Sequence, residues 1–287
     1  PDNVWYGEHD ERNYACVNLG SSAAYWCFDY TGTGVRGMNW ANVPQTLLDD
    51  FRLLKNFHSI LRQGGKIFIV IMPFTGLNKR TGWMDTFKYL GTLDYTLLDT
   101  TWRSKACHFY AMPIFFGRSA LRAVIRYLLK KERTAGLPTG ANQEENLMEP
   151  QALEADAERW VAGWQAQFGI QDLKAPLTPE NLEGRAVRVK VMREMVDFAR
   201  ERGYEPIYVI PPMTAPLANR LTPVFWEQYV ASFLREVDRD VRTLDYLRQP
   251  KWQDASLFFN SFFMNAKGRR LFTKQVLMDC GLCPIAD

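Results

Sequence analysis

The sequence predicts an α/β fold, a flavodoxin-like three-layer sandwich with a five-stranded parallel sheet and a helical cap insertion. Short apolar runs alternate with segments whose apolar residues recur every three or four positions, which is the order of strand–helix–strand units. The apolar runs are continuous, which indicates strands buried on both faces of a parallel sheet. A length of 287 residues suits one large domain of this kind with an insertion.

The first elements run from residue 14 to residue 74. Residues 14–20, YACVNLG, predict a buried strand, and residues 34–41 predict a weaker one. A helix is predicted from Pro44, because proline suits the first helical turn. The apolar positions that follow share one helical face: Leu47, Phe51, Leu54, His58 and Leu61. Gly64 and Gly65 end the helix, and the run KIFIVIMPF predicts the strongest strand of the chain.

The alternation is interrupted at residues 75–180 and then resumes. This stretch contains a basic helix at 118–133, a polar Gly/Pro-rich segment at 134–151, and a helix around Trp160 and Trp164. We therefore predict a helical cap at 75–180 and an α/β domain formed by 1–74 and 181–287. The remaining elements are helix 180–202, strand 206–210, helix 222–238, strand 241–247 and helix 266–279.

The topology indicates where a ligand would bind. In open parallel sheets, ligands bind beyond the carboxyl ends of the strands, at the point where the strand order reverses. The segments predicted to lie there are Ser21–Ser22, Asn39, Pro73–Phe74, Pro212–Thr214 and the stretch after Leu247.

Composition excludes several classes of function. The net charge of +3 does not by itself indicate a polyanionic partner. The sequence lacks a glycine-rich dinucleotide or phosphate loop and a zinc finger, so we expect no nucleic acid and no nucleotide cofactor. We also expect no metal, because the sequence lacks ligand spacing. No run reaches the roughly 18 apolar residues of a membrane span. The five cysteines are an odd number, so at least one is free or pairs with another chain.

Two stretches carry a resemblance to a known family. NLGSS at 18–22 and DASLFFNSFFMNAKGRRLFT at 254–273 resemble the SGNH (GDSL-type) hydrolase superfamily. The nearest members are the extracytoplasmic polysaccharide O-acetyltransferases and the D-alanyl-lipoteichoic-acid transfer protein family. The resemblance covers about 14–74 and 182–280. It implies that Ser22 is the nucleophile and that Gly37 and Asn39 are oxyanion donors. It also implies an extracytoplasmic domain, membrane-anchored in the full-length protein.

The resemblance fails at the catalytic pair. MNAKGRRLFT resembles the Leu-Asn-x-x-Gly segment, with Asn265 as its asparagine, but Asn260 and Phe263 occupy the positions of the preceding Asp-x-x-His. Phenylalanine cannot accept the proton of a serine hydroxyl, so we predict impaired or atypical serine catalysis. The residues expected to face a ligand are Ser21, Asn260, Phe263, Asn265 and Thr214.

Substitute bases are few. His58 shares an apolar helix face and is interpreted as a core histidine, whereas His9 and His108 stay open as substitutes. Aspartate is a poor base for a hydroxyl, since its ordinary pKa is about 3.9. We therefore predict turn or capping roles for Asp29, Asp245 and Asp254. Gly20-Ser21-Ser22 has its own alternative, which is to cap the helix that follows.

Two functions remain open. The first is acyl modification of a cell-surface polysaccharide or teichoic-acid-like polymer, with that polymer or an acyl-donor protein as partner. The second is a non-catalytic module that binds a glycan or a protein. The predicted basic helix carries a cation at every fourth position: Arg118, Arg122, Arg126 and Lys130. Such a helix can contact an anionic membrane surface or polymer, or its charged face can simply be exposed to solvent.

Overall fold

The structure is a computed structural model that describes residues 13–77, 89, 92–98 and 148–282. An all-parallel five-stranded sheet in the order β2-β1-β3-β4-β5 lies at its centre. The predicted fold class is confirmed. The strands are β1 (Tyr14–Leu19), β2 (Gly37–Asn39), β3 (Leu61–Val70), β4 (Glu205–Ile210) and β5 (Arg242–Asp245).

Helices connect the strands and cover the sheet. In chain order they are α1 (Ser22–Tyr25), α2 (Leu47–Phe57), α3 (Pro150–Phe168), α4 (Pro179–Glu201), α5 (Ala215–Ala218), α6 (Pro223–Trp226), α7 (Ser232–Asp238) and α8 (Ala266–Asp279). A π-helical turn, Glu227–Ala231, joins α6 to α7. Short 3₁₀ turns lie at His58–Ile60, Tyr95–Leu97, Pro250–Trp252 and Ala255–Leu257.

Both faces of the sheet are buried, as continuous apolar strands require. Ile67 of β3 and Tyr208 of β4 point into one core, which α2, α4 and α7 cover. Phe68 and Ile207, the neighbouring residues on the same strands, point into the other core, which α8 closes with Phe272. Successive side chains of a strand point to opposite faces of the sheet, so a continuously apolar strand contributes side chains to both cores.

Two predicted helices differ from the structure. α2 begins at Leu47 and not at Pro44, because Thr46 and Asp49 form a capping box that fixes the helix start. It ends at Phe57, and Leu61 already belongs to β3. The predicted helix 222–238 contains the π-helical turn.

Part of the predicted cap packs directly on the α/β domain. Trp164 and Ala157 of α3 belong to the core on the α2 side of the sheet. The Trp164 ring lies 5.2 Å from the Phe74 ring, centroid to centroid. α3 thereby joins the segment that follows β3. The basic helix at 118–133 and most of the Gly/Pro-rich segment lie outside the described residues.

Candidate functional site

A cavity of about 320 Å³ opens beyond the carboxyl ends of β1 and β3. Here the chain leaves β1 for β2 on one side, while β3 lies on the other, so the cavity occupies the switch point of the sheet. The segments that line it follow β1, precede and begin α2, follow β3, and belong to α3, α4 and the loop before α8. Its polar lining includes Ser21, Ser22, Gln45, Thr46, Asp50, Thr75, Gln167 and Arg188.

Gly20 brings the Ser21–Ser22 segment close to the sheet. Its φ is +138°, and a Cβ there would lie 2.7 Å from Ala24 Cβ and 3.3 Å from Val70 Cβ. Only glycine accepts this backbone and this approach. Ser21 stands at the N-cap of α1 but makes no side-chain capping bond. Its Oγ accepts from Gln45 N at 3.1 Å, so the capping hypothesis for this motif is wrong.

Ser22 lines the cavity from the first turn after β1. Among the described residues, none forms a hydrogen bond with its hydroxyl. The position agrees with a ligand-facing serine. A neutral serine hydroxyl needs an adjacent base to become a strong nucleophile.

The cavity floor contains a buried carboxyl, Asp50. Its Oδ1 accepts from Gly20 N at 2.8 Å and from Gln45 Nε2 at 2.5 Å. Burial raises the pKa of Asp50 to about 7, although the bonds from Gln45 and Gly20 act in the opposite direction. Asp49 raises this pKa further, and Arg188 of α4 lowers it.

Arg188 shares the cavity lining with Asp50. Burial lowers the pKa of this guanidinium, and Asp50 and Asp49 favour its charged form. Arginine nevertheless stays protonated at any physiological pH. The floor therefore combines a cation with a carboxyl that titrates near neutrality, an arrangement suited to binding polar oxygen atoms.

Aromatic side chains form another part of the cavity lining, the aromatic wall. Trp160 and Trp164 of α3 line the cavity together with Phe262 of the loop before α8. Trp160 lies 5.0 Å from Phe262 and 5.4 Å from Phe263, centroid to centroid. The buried indole N–H of Trp160 has no acceptor among the described residues. The ring surfaces of this wall suit a ligand with an apolar face.

Asn260 and Phe263 do not form a catalytic pair. Asn260 Oδ1 accepts from the backbone N–H groups of Phe262 and Phe263, at 2.8 and 2.7 Å, and so shapes the turn. Phe263 is buried against Trp160 and Phe259, whereas Phe262 is the member that lines the cavity. Position 263 thus belongs to a cluster of aromatic rings.

The two predicted oxyanion donors, Asn39 and Gly37, have roles in hydrogen bonding and packing within the fold. Asn39 Nδ2 donates to the carbonyls of Tyr25 and Phe28, and Asn39 Oδ1 accepts from Asn18 Nδ2 and Ala41 N. A Cβ on Gly37 would lie 2.2 Å from the Tyr30 ring, so Gly37 allows that ring to pack on β2. Neither residue belongs to the cavity lining.

Thr214 and Asn265 support the loop before α8. Thr214 is fully buried, and its hydroxyl donates to the carbonyl of Ser261 at 2.7 Å. Asn265 caps α8 by accepting from Gly268 N at 2.9 Å, and its amide donates to the Ser256 carbonyl at 2.7 Å. Both hold the loop that contributes Phe262, and neither lines the cavity itself.

His58 lies far from Ser22 along the strands. It precedes β3, next to Tyr204, which precedes β4, so it occupies the amino ends of the strands. Its Nδ1 is 3.3 Å from the Tyr204 hydroxyl, and its ring packs on Phe198. It is half-buried, not fully enclosed in the core. His9 and His108 lie outside the described residues.

Three aspartates with predicted turn or capping roles stabilise local turns. Each accepts a hydrogen bond from a backbone N–H two residues further on, at Thr31, Leu247 and Ser256. This is the local role that aspartate commonly has in turns and caps. In the same order, the accepting residues are Asp29, Asp245 and Asp254.

Within the described ranges, two features are absent: a cluster of metal ligands and a membrane-spanning helix. No cluster of three His, Cys, Asp or Glu side chains there could hold a metal ion. None of the helices in those ranges is long and apolar enough to cross a bilayer. Cys16, Cys27 and Cys280 are buried free thiols. The basic residues Arg118, Arg122, Arg126 and Lys130 are outside the described part of the chain.

Comparison with known proteins gives no assignment: neither a family model nor a curated protein matches the chain.

The sequence pattern missed Gln45, Asp50 and Arg188. A signal for Asp50 did exist, because it follows Leu47 by three positions and precedes Leu54 by four, on the apolar face of the predicted helix. A carboxyl on a buried face is uncommon unless it has partners or a function. Its bond to Gly20 spans 30 positions and has no local signature.

Proposed function

We propose that this chain is an SGNH-like domain that binds an acylated glycan unit of a cell-surface polymer, within a system that modifies the polymer with acyl groups, and that its serine catalysis is impaired or absent. The observation that carries the proposal is the composition of the cavity. Ser22 shares it with Trp160, Trp164 and Phe262, and Phe263 stands in the register of the missing histidine.

The shape and chemistry of the cavity suit a sugar. A volume of about 320 Å³ is at the small end of ligand pockets, enough for one glycan unit with a short acyl group. Sugar rings present C–H faces that pack on indole rings and hydroxyls that need hydrogen-bond partners. Trp160 and Trp164 supply the first, and Ser22, Asp50 and Arg188 supply the second.

The biological setting follows from the resemblance alone. SGNH-like domains of this kind act outside the cytoplasm on polysaccharides or teichoic-acid-like polymers. We therefore propose an extracytoplasmic location, an anchor in the full-length protein, and a polymer or an acyl-donor protein as partner. Contact of the basic helix with an anionic surface belongs to the same proposal.

A glycan array tests the binding function. It should include acetylated bacterial polysaccharides beside the same polymers after chemical deacetylation. We expect the wild type to bind an acetylated polymer, and Trp160→Ala and Trp164→Ala to lose roughly tenfold or more in affinity. Trp226→Ala is the matched control, since Trp226 is partly exposed and lies outside this cavity. Equal losses in all three variants, or no bound glycan, would refute the proposal.

Acyl transfer through Ser22 is the second candidate. The observation that favours it is the Ser22 hydroxyl in the cavity wall without a hydrogen bond from the described residues. A hydroxyl in this state is accessible to an acyl donor. Covalent labelling of Ser22 distinguishes this candidate from the first.

A further inference from the structure

Asp50 is held with one oxygen committed to the protein. Gly20 N and Gln45 Nε2 both donate to Oδ1. The orientation of Gln45 is fixed in turn, because its Oε1 accepts from the Tyr89 hydroxyl at 2.6 Å and its Nε2 also donates to the Trp40 carbonyl at 3.2 Å. Gln45 therefore presents hydrogen, and not oxygen, to Asp50.

This arrangement determines where a proton on Asp50 resides. An oxygen that accepts two N–H donors has its lone pairs occupied, so the acid hydrogen belongs on the other oxygen, Oδ2. No described residue forms a hydrogen bond with Oδ2. Because Asp50 lines the cavity, Oδ2 is the atom available to a ligand there.

We propose that Asp50 is a ligand-binding residue that acts in its protonated form, donating from Oδ2 to a ligand oxygen that carries no hydrogen, such as an acyl carbonyl. The inference rests on the proposed glycan-binding function and adds to it the residue and protonation state that recognise the acyl group. A carboxylate would instead select hydroxyl donors, which every sugar unit carries. The protonated acid supplies a donor that an acyl carbonyl can accept and that a carboxylate lacks.

The neighbouring groups support this role. The Ser22 hydroxyl, which forms no hydrogen bond with a described residue, is a second group of the lining that can donate to such an oxygen. A cavity rich in donors fits a ligand rich in acceptors, since a buried donor without a partner costs about 1–3 kcal/mol. Ser22 and Asp50 lie on different elements and line one cavity.

The electrostatic surroundings keep the proton available near neutral pH. Burial raises the pKa of Asp50 to about 7; the charges that act on it are Asp49 of the same helix, which raises it, and Arg188 of α4, which lowers it. A ligand that binds only the protonated acid must lose affinity as pH rises through this value.

Titration calorimetry at pH 5.5 and 8.5 tests the inference, with chitotetraose and cellotetraose as probes. These oligosaccharides differ at the 2-position, acetamido in the first and hydroxyl in the second. We expect the wild type to bind chitotetraose about tenfold or more tightly at pH 5.5 than at pH 8.5, and to discriminate against cellotetraose. Asp50→Asn should bind chitotetraose equally at both pH values, because its amide nitrogen replaces the Oδ2 proton donor permanently.

The control variant is Asp245→Asn. Burial also raises the pKa of Asp245, but this residue ends β5 outside the cavity, so the variant should keep the pH dependence of the wild type. If Asp50→Asn does not fold, the pH dependence of chitotetraose affinity in the wild type and in Asp245→Asn still tests the role of Asp50.

The outcomes separate the inference from the function. Affinity that does not fall with pH, loss of binding in a folded Asp50→Asn variant, or equal binding of both probes would overturn the role of Asp50 and leave glycan binding intact. If neither probe binds at either pH, the proposed function fails and the inference fails with it.

Discussion

The carboxylate of Asp156 accepts two hydrogen bonds from Ser261, one from its backbone N–H at 3.0 Å and one from its hydroxyl at 2.5 Å. Asp156 belongs to α3, and Ser261 lies between Asn260 and Phe262 in the loop before α8. Both residues are buried, and Arg159 forms an ion pair with the same carboxylate. Asp156 therefore fixes the aromatic wall of the cavity from two sides, α3 and the loop.

Replacing Asp156 should destabilise the fold. Asp156→Ala leaves the N–H and the hydroxyl of Ser261 without their acceptor, so the free energy of unfolding should fall by about 2 kcal/mol. Urea denaturation measures the change. Glu158→Gln, on the exposed side of the same helix, is the control and should change it by less than about 0.5 kcal/mol. Equal effects of the two variants would contradict this role.

The contribution of Asp156 should depend on pH. Burial raises its pKa, but the Ser261 bonds and Arg159 outweigh burial, so the pKa lies below the usual range. The stabilisation is then present above the unfolded-state pKa, about 3.9, and disappears as pH falls through the lower folded-state value. The stability gap between wild type and Asp156→Ala should be constant from pH 7 to 5 and narrow below about 4. A gap that widens on acidification would show the opposite sign.

Gly268 should tolerate no side chain. A Cβ there would lie 2.1 Å from the Leu257 carbonyl oxygen, and Leu257 O also accepts from Asn265 N. Gly268→Ala should therefore destabilise the protein by roughly 2 kcal/mol or more. Gly163→Ala is the matched helical control: no described atom lies within 4 Å, so it should stabilise by about 0.5–1 kcal/mol. Similar unfolding midpoints for the two variants would be inconsistent with this packing.

Introducing an Asp-x-x-His pair at positions 260 and 263 should not create a serine enzyme. In Asn260→Asp with Phe263→His, the imidazole would enter the aromatic cluster beside Trp160 and Phe259, and position 263 does not line the cavity. We expect the double variant to gain no reactivity towards a fluorophosphonate probe, with a thermal melt as the check of folding. Gained labelling at Ser22 would mean that the histidine reaches the hydroxyl and that only the base was lost.

Patterns within one element were predictable from the sequence. α8 begins and ends at the predicted residues, because Asn265 marks its cap and the apolar spacing continues to its last turn. Strand polarity and burial were readable because apolar residues run without interruption, as in KIFIVIMPF. The predicted helix around Trp160 and Trp164 is α3, and both residues line the cavity.

Contacts between distant segments were not predictable. Asp50 reaches Gly20 across 30 positions, and Asp156 reaches Ser261 across 105. Such pairs are set by how helices pack on the sheet and leave no periodic signal in a single sequence. The same reason explains why Phe262 lines the cavity although the resemblance pointed to Phe263.

Reaction of the intact chain with a fluorophosphonate probe tests most directly whether the cavity is a binding site and not a serine active site. We expect no labelling of Ser22 at neutral pH, because no base among the described residues forms a hydrogen bond with its hydroxyl and loss of the base costs about 10⁶ in turnover in a serine protease. Ser22→Ala should give the same mass spectrum as the wild type after treatment. Stoichiometric labelling that disappears in Ser22→Ala would contradict the account.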